Sequence, residues 1–353
     1  MPTGSEKRTF IEARIVVPGP GEPPVELLGM WNYPGGRIRI TDGGEQPPAN
    51  EPQLRFEWIA APSRFRVFFT PDLAIEALLV GSHRIDWANG VVFYKDSPLY
   101  SAEQRIYSQN GEDGVLLALL DTLDVQSPSA LELGVGDGSE CNTRILSARG
   151  HKVVCWDRGH HDPSRGVFRE MVTVENLPAL VTNYEIPGNL DVLSIDVDYY
   201  DFYFWWRIGE LVSPRVVVIE HNGAHGPGED LVVPYEGPDK GWDGTRYFGA
   251  SLLALTRLGA RLGYVLAYAE SAGVNAFFVR REDAARLLDL APGLGDLRRL
   301  YRPARYGDGG HAPDPWHRPY TSSTALFASS RCPWSAGSGG DSSTGSSSTG
   351  ILS

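Results

Sequence analysis

The chain has 353 residues but only three cysteines and three methionines, and it has no long run of apolar residues. Cys141, Cys155 and Cys332 match neither a disulfide framework nor a paired metal-binding spacing, so we expect reduced thiols. Without an apolar run of bilayer length, no membrane contact is expected. The polar start MPTGSEKR lacks a secretion segment, which favours a cytoplasmic protein.

Positive charge is also scarce. The chain has 32 Lys and Arg against 44 Asp and Glu, a net charge of −12, and no basic stripe with interleaved aromatic residues. This balance opposes binding to a phosphate backbone, so no nucleic-acid partner is expected. A 42% hydrophobic content at this length predicts a substantial core and two domains with tails.

Composition changes along the chain divide it into four segments. Residues 1–98 contain short, often alternating apolar stretches between Pro and Gly clusters, which predicts a β-rich accessory domain with antiparallel strands. That domain could bind part of a substrate, form a dimer contact in a homo-oligomer, or cap its neighbour. Residues 99–290 form the second predicted domain, residues 291–332 an extended arm without assigned function, and the Ser/Gly/Thr-rich residues 333–353 a disordered tail.

Residues 130–138, ALELGVGDG, run from an apolar strand through Glu132 into three alternating glycines. Gly134, Gly136 and Gly138 lack Cβ atoms, so the backbone can turn tightly and let a ligand approach the next helix. The dinucleotide fingerprint would need glycine where Ser139 stands. The motif therefore predicts a site for a nucleotide-like cofactor, with a ligand-free glycine turn as the alternative.

Two further segments carry candidate cofactor contacts. The apolar run 152–157 ends in Asp157, about 20 residues beyond the glycines, where an acid can accept both ribose hydroxyls. A solvated strand cap is the other interpretation of Asp157. Residues 171–174 form a third candidate strand, followed by Glu175, which could meet an adenine edge.

The remaining pattern is that of an α/β protein. Residues 190–198 and 215–222 are runs of Val, Ile and Leu, typical of parallel strands covered on both faces, and helical patterns occupy residues 112–123, 202–211 and 247–262. Asn110 and Asp113 are predicted to cap the first helix. The short turn between residues 263–269 and 275–280 favours an antiparallel pair.

This order of strands, together with the glycine motif, resembles the class I S-adenosylmethionine-dependent methyltransferase superfamily over residues 105–285. The stretches YSQNGEDG (107–114), SIDVD (194–198) and VIEHN (218–222) look like a methyltransferase-like group related to the FkbM-type O-methyltransferases. The resemblance implies a Rossmann-like sheet, S-adenosyl-L-methionine as cofactor, and a hydroxyl of a small molecule or sugar as acceptor. The residues that it implies for the cofactor are Glu132, Gly134, Gly136, Gly138, Asp157 and Glu175.

Polar side chains end two of the predicted strands, and parallel strands bring their carboxyl ends to one edge. In one mechanism, Asp196 and Glu220, with Asp198 or Asn222, hold Mg²⁺, which lowers the pKa of a bound hydroxyl. In the other, His221 is a general base without metal. The metal is favoured because several carboxylates at one edge repel each other unless a cation is present. Asp196 and His221 are therefore the candidate catalytic residues.

The long connection 223–246 predicts a lid over the acceptor site. Tyr199 and Tyr200, which replace a Gly-Asn-type turn after Asp198, could line the acceptor pocket. Two other functional classes stay open. One is a non-catalytic protein that binds S-adenosylmethionine or another ligand on the same fold. The other is an NAD-dependent oxidoreductase, which the glycine spacing and the lack of a Tyr-x-x-x-Lys pair disfavour.

Overall fold

The computed structural model describes residues 9–16, 29–33, 36–41, 53–60, 64–70, 73–80, 84–89, 92–95, 97–305, 311–329 and 333–334. The predicted tail lies outside these residues from position 335 onward, as does Cys332. No helix in these ranges has both the length and the apolar character that a bilayer crossing needs.

Within the described residues, the amino-terminal part forms a closed barrel of eight strands in the order β1-β3-β2-β8-β7-β6-β5-β4. The strands are β1 (Thr9–Val16), β2 (Gly29–Tyr33), β3 (Gly36–Thr41), β4 (Gln53–Ala60), β5 (Arg64–Thr70), β6 (Leu73–Val80), β7 (Arg84–Trp87) and β8 (Val92–Lys95). Most neighbours are antiparallel, but β1 pairs in parallel with both β3 and β4. The expectation of antiparallel strands was wrong for β1, because alternation shows that a strand has two unlike faces and not the direction of its partner.

The second part contains a sheet that has seven strands among the described residues, in the order β11-β10-β9-β12-β13-β15-β14. These strands are β9 (Ala130–Leu133), β10 (Val153–Asp157), β11 (Val167–Arg169), β12 (Val192–Ile195), β13 (Val216–Glu220), β14 (Tyr264–Ala269) and β15 (Asn275–Arg280). The first five are parallel, and β15 runs antiparallel to both β13 and β14. This confirms the predicted fold class, a Rossmann-like α/β sheet that is parallel except for an antiparallel pair at one edge.

Helices cover both faces of this sheet. The helices are α1 (Pro98–Ala102), α2 (Glu112–Thr122), α3 (Arg144–Ala148), α4 (Leu177–Asn183), α5 (Asp201–Ile208), α6 (Leu252–Leu262), α7 (Leu297–Leu300) and α8 (Ser323–Ala328). One core cluster joins the sheet to α2 and α3, and the other joins it to α4, α5 and α6. The sequence of β13 does not alternate because both faces of this strand are buried. Val216 and Val218 face the first cluster, Val217 faces the second, and all three are fully buried.

Two local predictions need correction. The third strand is β11 rather than residues 171–174, where the Thr173 amide donates to Asn176 Oδ1 at 2.8 Å and so closes a turn instead of a sheet ladder. Helix α2 follows Gly111, whose φ is 107°, without a side-chain cap from Asn110. Asp113 instead accepts the backbone amides of the preceding loop, residues 106–108, through Oδ2.

Candidate functional site

A cleft of about 430 Å³ opens at the carboxyl ends of the parallel strands. Its walls come from the glycine turn after β9, the ends of β12 and β13, the connection 223–246 and the carboxyl-terminal arm. Six of its described lining residues carry carboxylates, and none is Lys or Arg. We call it the acidic cleft, after Glu132, Asp137, Glu140, Asp196, Asp198 and Glu220.

The glycine turn forms one wall because its backbone adopts conformations that other residues avoid. Gly134 and Gly136 have φ values of 79° and 55°. A Cβ on Gly134 would lie 1.7 Å from the carbonyl oxygen of Asp196, so the turn packs directly on the end of β12. At Gly136 a Cβ would meet no atom within 4 Å, which leaves open space beside the cleft. Gly138, also at positive φ, lies at the far end of the turn, against Val167 of β11.

Glu132 lines the acidic cleft but is almost fully buried, with 2% of its surface exposed. Its Oε1 accepts the Asn142 amide at 2.8 Å, and its Oε2 accepts the Thr143 amide at 2.9 Å. The hydroxyl groups of Thr143 and Ser194 also donate to it. Burial raises the pKa of Glu132, and these hydrogen bonds oppose that rise. Its carboxylate therefore holds the loop before α3 against the sheet.

Asp157 performs a similar task at the end of β10. Its Oδ2 accepts the Gly136 amide at 2.8 Å, and its Oδ1 accepts the amides of Gly159 and His160. Burial works to raise the pKa of Asp157, but these hydrogen bonds outweigh it and the pKa is lowered. Asp157 is thus an ionised acid that ties two loops together. It does not appear among the described lining residues of the cleft.

Glu175 lies away from the other cofactor candidates. Its Oε1 accepts the hydroxyl of Tyr235 at 2.6 Å, and it is exposed and outside the described lining of the cleft. The reason is the shift of the third strand from residues 171–174 to β11, which leaves Glu175 in the loop before α4. The structure brings together the glycine turn and Glu132, with Asp157 behind the turn, but not Glu175.

Asp196, Asp198 and Glu220 come together as the sequence predicts. One carboxylate oxygen from each lies within 4.8 Å of the other two. Asp196 and Glu220 end neighbouring parallel strands, and Asp198 adopts a left-handed backbone with φ of 65°, which is costly for a residue with a side chain. Glu220 is 9% exposed, and its Oε2 has no hydrogen-bond partner among the described residues. The arrangement is able to hold a cation.

The electrostatics of this cluster follow from crowding like charges at the sheet edge, where Glu220 is buried, Asp196 half-buried and Asp198 exposed. Burial, followed by repulsion from neighbouring carboxylates, raises the pKa of Asp196 and of Glu220 well above the ordinary range. Burial also raises the pKa of Asp198, and it raises that of nearby Asp201 to about 7. The crowded carboxylates therefore favour a bound proton or a bound cation over several free negative charges.

His221 and Asn222 follow Glu220 in sequence but do not join it. His221 directly follows β13, and its amide donates to the Val274 carbonyl at 2.8 Å. It is fully buried outside the described lining of the cleft, and burial lowers its pKa to about 4. Asn222 donates through Nδ2 to the carbonyls of Arg246 and Phe248, and its Oδ1 accepts the Ala224 amide. Both side chains therefore support the fold next to the carboxylate cluster and are not part of it.

Tyr199 and Tyr200 are buried and lie outside the described lining of the cleft. Their rings pack against each other at a centroid distance of 4.7 Å. The hydroxyl of Tyr200 accepts the amide of Glu236, in the connection 223–246, at 3.0 Å. Tyr200, packed against Tyr199, therefore holds that connection through its hydroxyl.

Three aromatic lining residues were not identified from the sequence. Trp242 belongs to the connection 223–246, Phe248 follows it, and His311 comes from the arm. The His311 ring lies edge-on to both, with centroid distances of 4.8 Å to Trp242 and 5.4 Å to Phe248. Burial and Arg246 lower the pKa of His311, while Asp198 opposes that change.

The arm reaches the cleft because polar contacts fix it to the connection. Arg246 donates its amide to the Ala312 carbonyl and its Nε to the His311 carbonyl. Arg318 of the arm pairs with Asp243 at 2.8 Å. A lone histidine in a segment without periodicity gives no sequence signal of such a position.

No protein-family model matches the chain, and no curated protein matches it. Several solved structures resemble part of it at low identity, among them the following three. The first is an O-methyltransferase family protein from Burkholderia thailandensis, with 12% identity and a TM-score of 0.30, over 48% of this chain and 58% of that one. This chain therefore spans a little over half the length of that protein.

The second is a Listeria monocytogenes protein assigned as an S-adenosylmethionine-dependent methyltransferase, with 13% identity and a TM-score of 0.31, over 48% of this chain and 97% of that one. The third is the small RNA methyltransferase HEN1, with 12% identity and a TM-score of 0.29, over 54% of this chain and 28% of that one. At these identities and TM-scores the similarity carries no argument about function, which has to be inferred from the residues of the cleft.

Proposed function

We propose that the chain is an S-adenosylmethionine-dependent methyltransferase that methylates a hydroxyl group of a small molecule or sugar, with help from a divalent cation. One observation carries the proposal. The glycine turn and the cluster of Asp196, Asp198 and Glu220 open on the same cleft, at the carboxyl edge where open parallel sheets bind their ligands.

The glycine turn supports the choice of cofactor. A side chain at Gly136 would fill the open space beside the cleft, so glycine leaves room there for a ligand. Asp157 holds the Gly136 amide from behind and keeps the turn in place. When bound, S-adenosylmethionine supplies a methyl group on a positively charged sulfur, and a cleft lined by carboxylates favours a positive ligand.

The donor set supports a hard divalent cation such as Mg²⁺. Asp196, Asp198 and Glu220 would hold it through oxygen, the ligand that Mg²⁺ prefers. The buried Glu220 Oε2 has no partner among the described residues and would gain one. A cation at this position lowers the pKa of a hydroxyl bound to it.

The remaining residues position the acceptor. Transfer to oxygen needs an aligned acceptor, removal of its proton and exclusion of water. The Asp196 carboxylate lies in the cleft where it can take the proton from the acceptor hydroxyl. Trp242 and Phe248 form an apolar wall that limits the access of water. Because Trp242 belongs to the connection 223–246, that connection acts as a lid over the acceptor.

Calorimetric titration of the full chain with S-adenosylmethionine, S-adenosylhomocysteine and NAD, each with MgCl₂ and with EDTA, tests the cofactor. We expect saturable binding of the first two and none of NAD. Asp157→Ala should weaken S-adenosylmethionine binding about tenfold, equivalent to one lost charge-assisted contact, because it frees the glycine turn. The exposed Asp121→Ala on α2 is the matched control and should bind normally.

Transfer itself is tested with a labelled methyl donor and a panel of sugars and hydroxylated small molecules. Label in an acceptor with the native chain, but not with Asp196→Asn, supports the proposed enzyme. Binding of the methyl donor without transfer to any acceptor would favour the non-catalytic alternative. Binding of NAD in preference to the methyl donor would replace the proposal with an oxidoreductase.

A further inference from the structure

A second cavity of about 420 Å³ lies on the other side of the loop that follows the glycine turn. It is bounded by α3, the start of β10 and the turn before β11. Among its described lining residues are Arg144, Arg165 and His151, and no Asp or Glu. We call it the basic cavity. In a chain with 44 acidic and 32 basic residues, a recess lined in this way departs from the overall charge balance.

Arg144 is half-buried in this cavity without an acidic partner. Its NH1 donates to the carbonyls of Gly138 and Ser139, at 3.0 and 2.8 Å, and its guanidinium lies 4.7 Å from the centre of the Tyr107 ring. No carboxylate of the described residues forms an ion pair with it, since the nearby Glu140 pairs with Arg105 instead. A guanidinium has five N–H donors, so two carbonyl contacts leave donors for a ligand.

Arg165, in the turn before β11, also lines the basic cavity, with half of its side chain exposed. Its Nε pairs with Asp162 at 3.4 Å, and that carboxylate also accepts the Ser164 hydroxyl. Pairing through Nε occupies one end of the guanidinium, and its terminal nitrogens carry further N–H donors. Two arginines that line one small recess suit a phosphate group, which accepts bidentate hydrogen bonds from guanidinium.

We propose that the basic cavity binds a small phosphate-bearing molecule through Arg144 and Arg165. The ligand is a small molecule because the site is a recess lined by two arginines and not a broad basic surface. The site is separate from the acidic cleft, and it does not depend on the proposed methyl transfer.

Calorimetric titration of the full chain with inorganic phosphate, at an ionic strength held constant with NaCl, tests the site. We expect saturable binding that Arg165→Gln weakens about tenfold or more, because one charge-assisted contact to phosphate is lost. Arg144→Gln should weaken it at least as much. Arg149→Gln is the matched control, since Arg149 is an exposed residue at the end of α3 outside the described lining of the cavity.

Arg165→Gln is the decisive variant, because Arg144→Gln also removes two contacts to the glycine loop. Two controls locate the bound phosphate: saturation with S-adenosylhomocysteine and Asp196→Asn should both leave phosphate binding unchanged. The proposal is overturned if phosphate shows no saturable binding, or if Arg165→Gln binds it as tightly as the native chain does. Competition by S-adenosylhomocysteine would also overturn it, because the phosphate would then lie in the acidic cleft.

Discussion

The acidic cleft and the basic cavity are nearly equal in volume, about 430 and 420 Å³, and both are lined by Cys141 of the loop between them. They differ in charge, since six carboxylates line one and two arginines with a histidine line the other. The net charge of −12 therefore does not set the charge of each site. Local packing decides which side chains meet in a recess.

They also differ in how far apart their residues are in sequence. The described lining of the basic cavity comes from one stretch, residues 107–167, whereas that of the acidic cleft reaches from Gln109 to His311. The cleft therefore needs the complete sheet, the connection 223–246 and the arm, while the cavity needs the first part of the sheet with α3.

The largest expected effect is a difference in stability between substitutions at the two ends of the glycine turn, Gly134 and Gly138. Gly134→Ala should lower the free energy of unfolding by more than about 3 kcal/mol, because positive φ and a clash with the Asp196 carbonyl add together. Gly138→Ala, which meets only a Val167 methyl at 3.0 Å, should cost about 1–2 kcal/mol. Urea denaturation measures both. Equal losses would mean that the turn does not rest on the end of β12.

A second experiment compares the acidic cleft with the basic cavity by the binding of a divalent cation. If Asp196, Asp198 and Glu220 hold a divalent cation, Asp196→Asn should weaken Mn²⁺ binding roughly 100-fold, since even a residue behind the ligands contributes 10–100-fold to metal affinity. Arg165→Gln should leave Mn²⁺ binding unchanged. Electron paramagnetic resonance of free Mn²⁺ gives the affinities. Unaltered binding in Asp196→Asn would remove the cation from the proposed function.

The smallest expected effects have opposite signs near the two sites. Burial raises the pKa of Asp201, beside the cleft, to about 7, so its contribution to stability is present below pH 3.8 and is lost as pH rises through about 7. Asp201→Asn keeps its neutral side chain, so in EDTA at pH 8 it should be more stable than the native chain, by on the order of 2 kcal/mol. The gain should vanish at pH 4.

Asp162, beside the basic cavity, provides the contrast. The Ser164 hydroxyl lowers its pKa, so its contribution to stability is present above pH 3.8 and is lost as pH falls. Asp162→Asn should therefore be slightly less stable at pH 8, with the difference disappearing on acidification. Urea denaturation of both variants from about pH 2 to pH 8, a range that extends below the ordinary pKa of aspartate, measures the two trends. Parallel trends would contradict the assigned environments.

Sequence reasoning predicted the parts of the site that sit on regular strands. Because β12 and β13 are uninterrupted runs of buried residues, Asp196 and Glu220 had to emerge together at one edge. The same reasoning failed for His221 and Asn222, the two residues after Glu220, because neither is among the described residues that line the cleft. It also failed for Glu175, because the three-residue strand β11 is too short to stand out as a pattern.

The α/β class, the glycine turn and the carboxylates at the sheet edge could be predicted from local patterns, because strand periodicity and glycine conformation are properties of neighbouring residues. The parallel pairing of β1, the position of His311 in the cleft and the presence of Arg144 and Arg165 in one cavity depend on how distant segments pack. Those contacts join segments whose own patterns carry no record of the partner, since packing in three dimensions is what selects it.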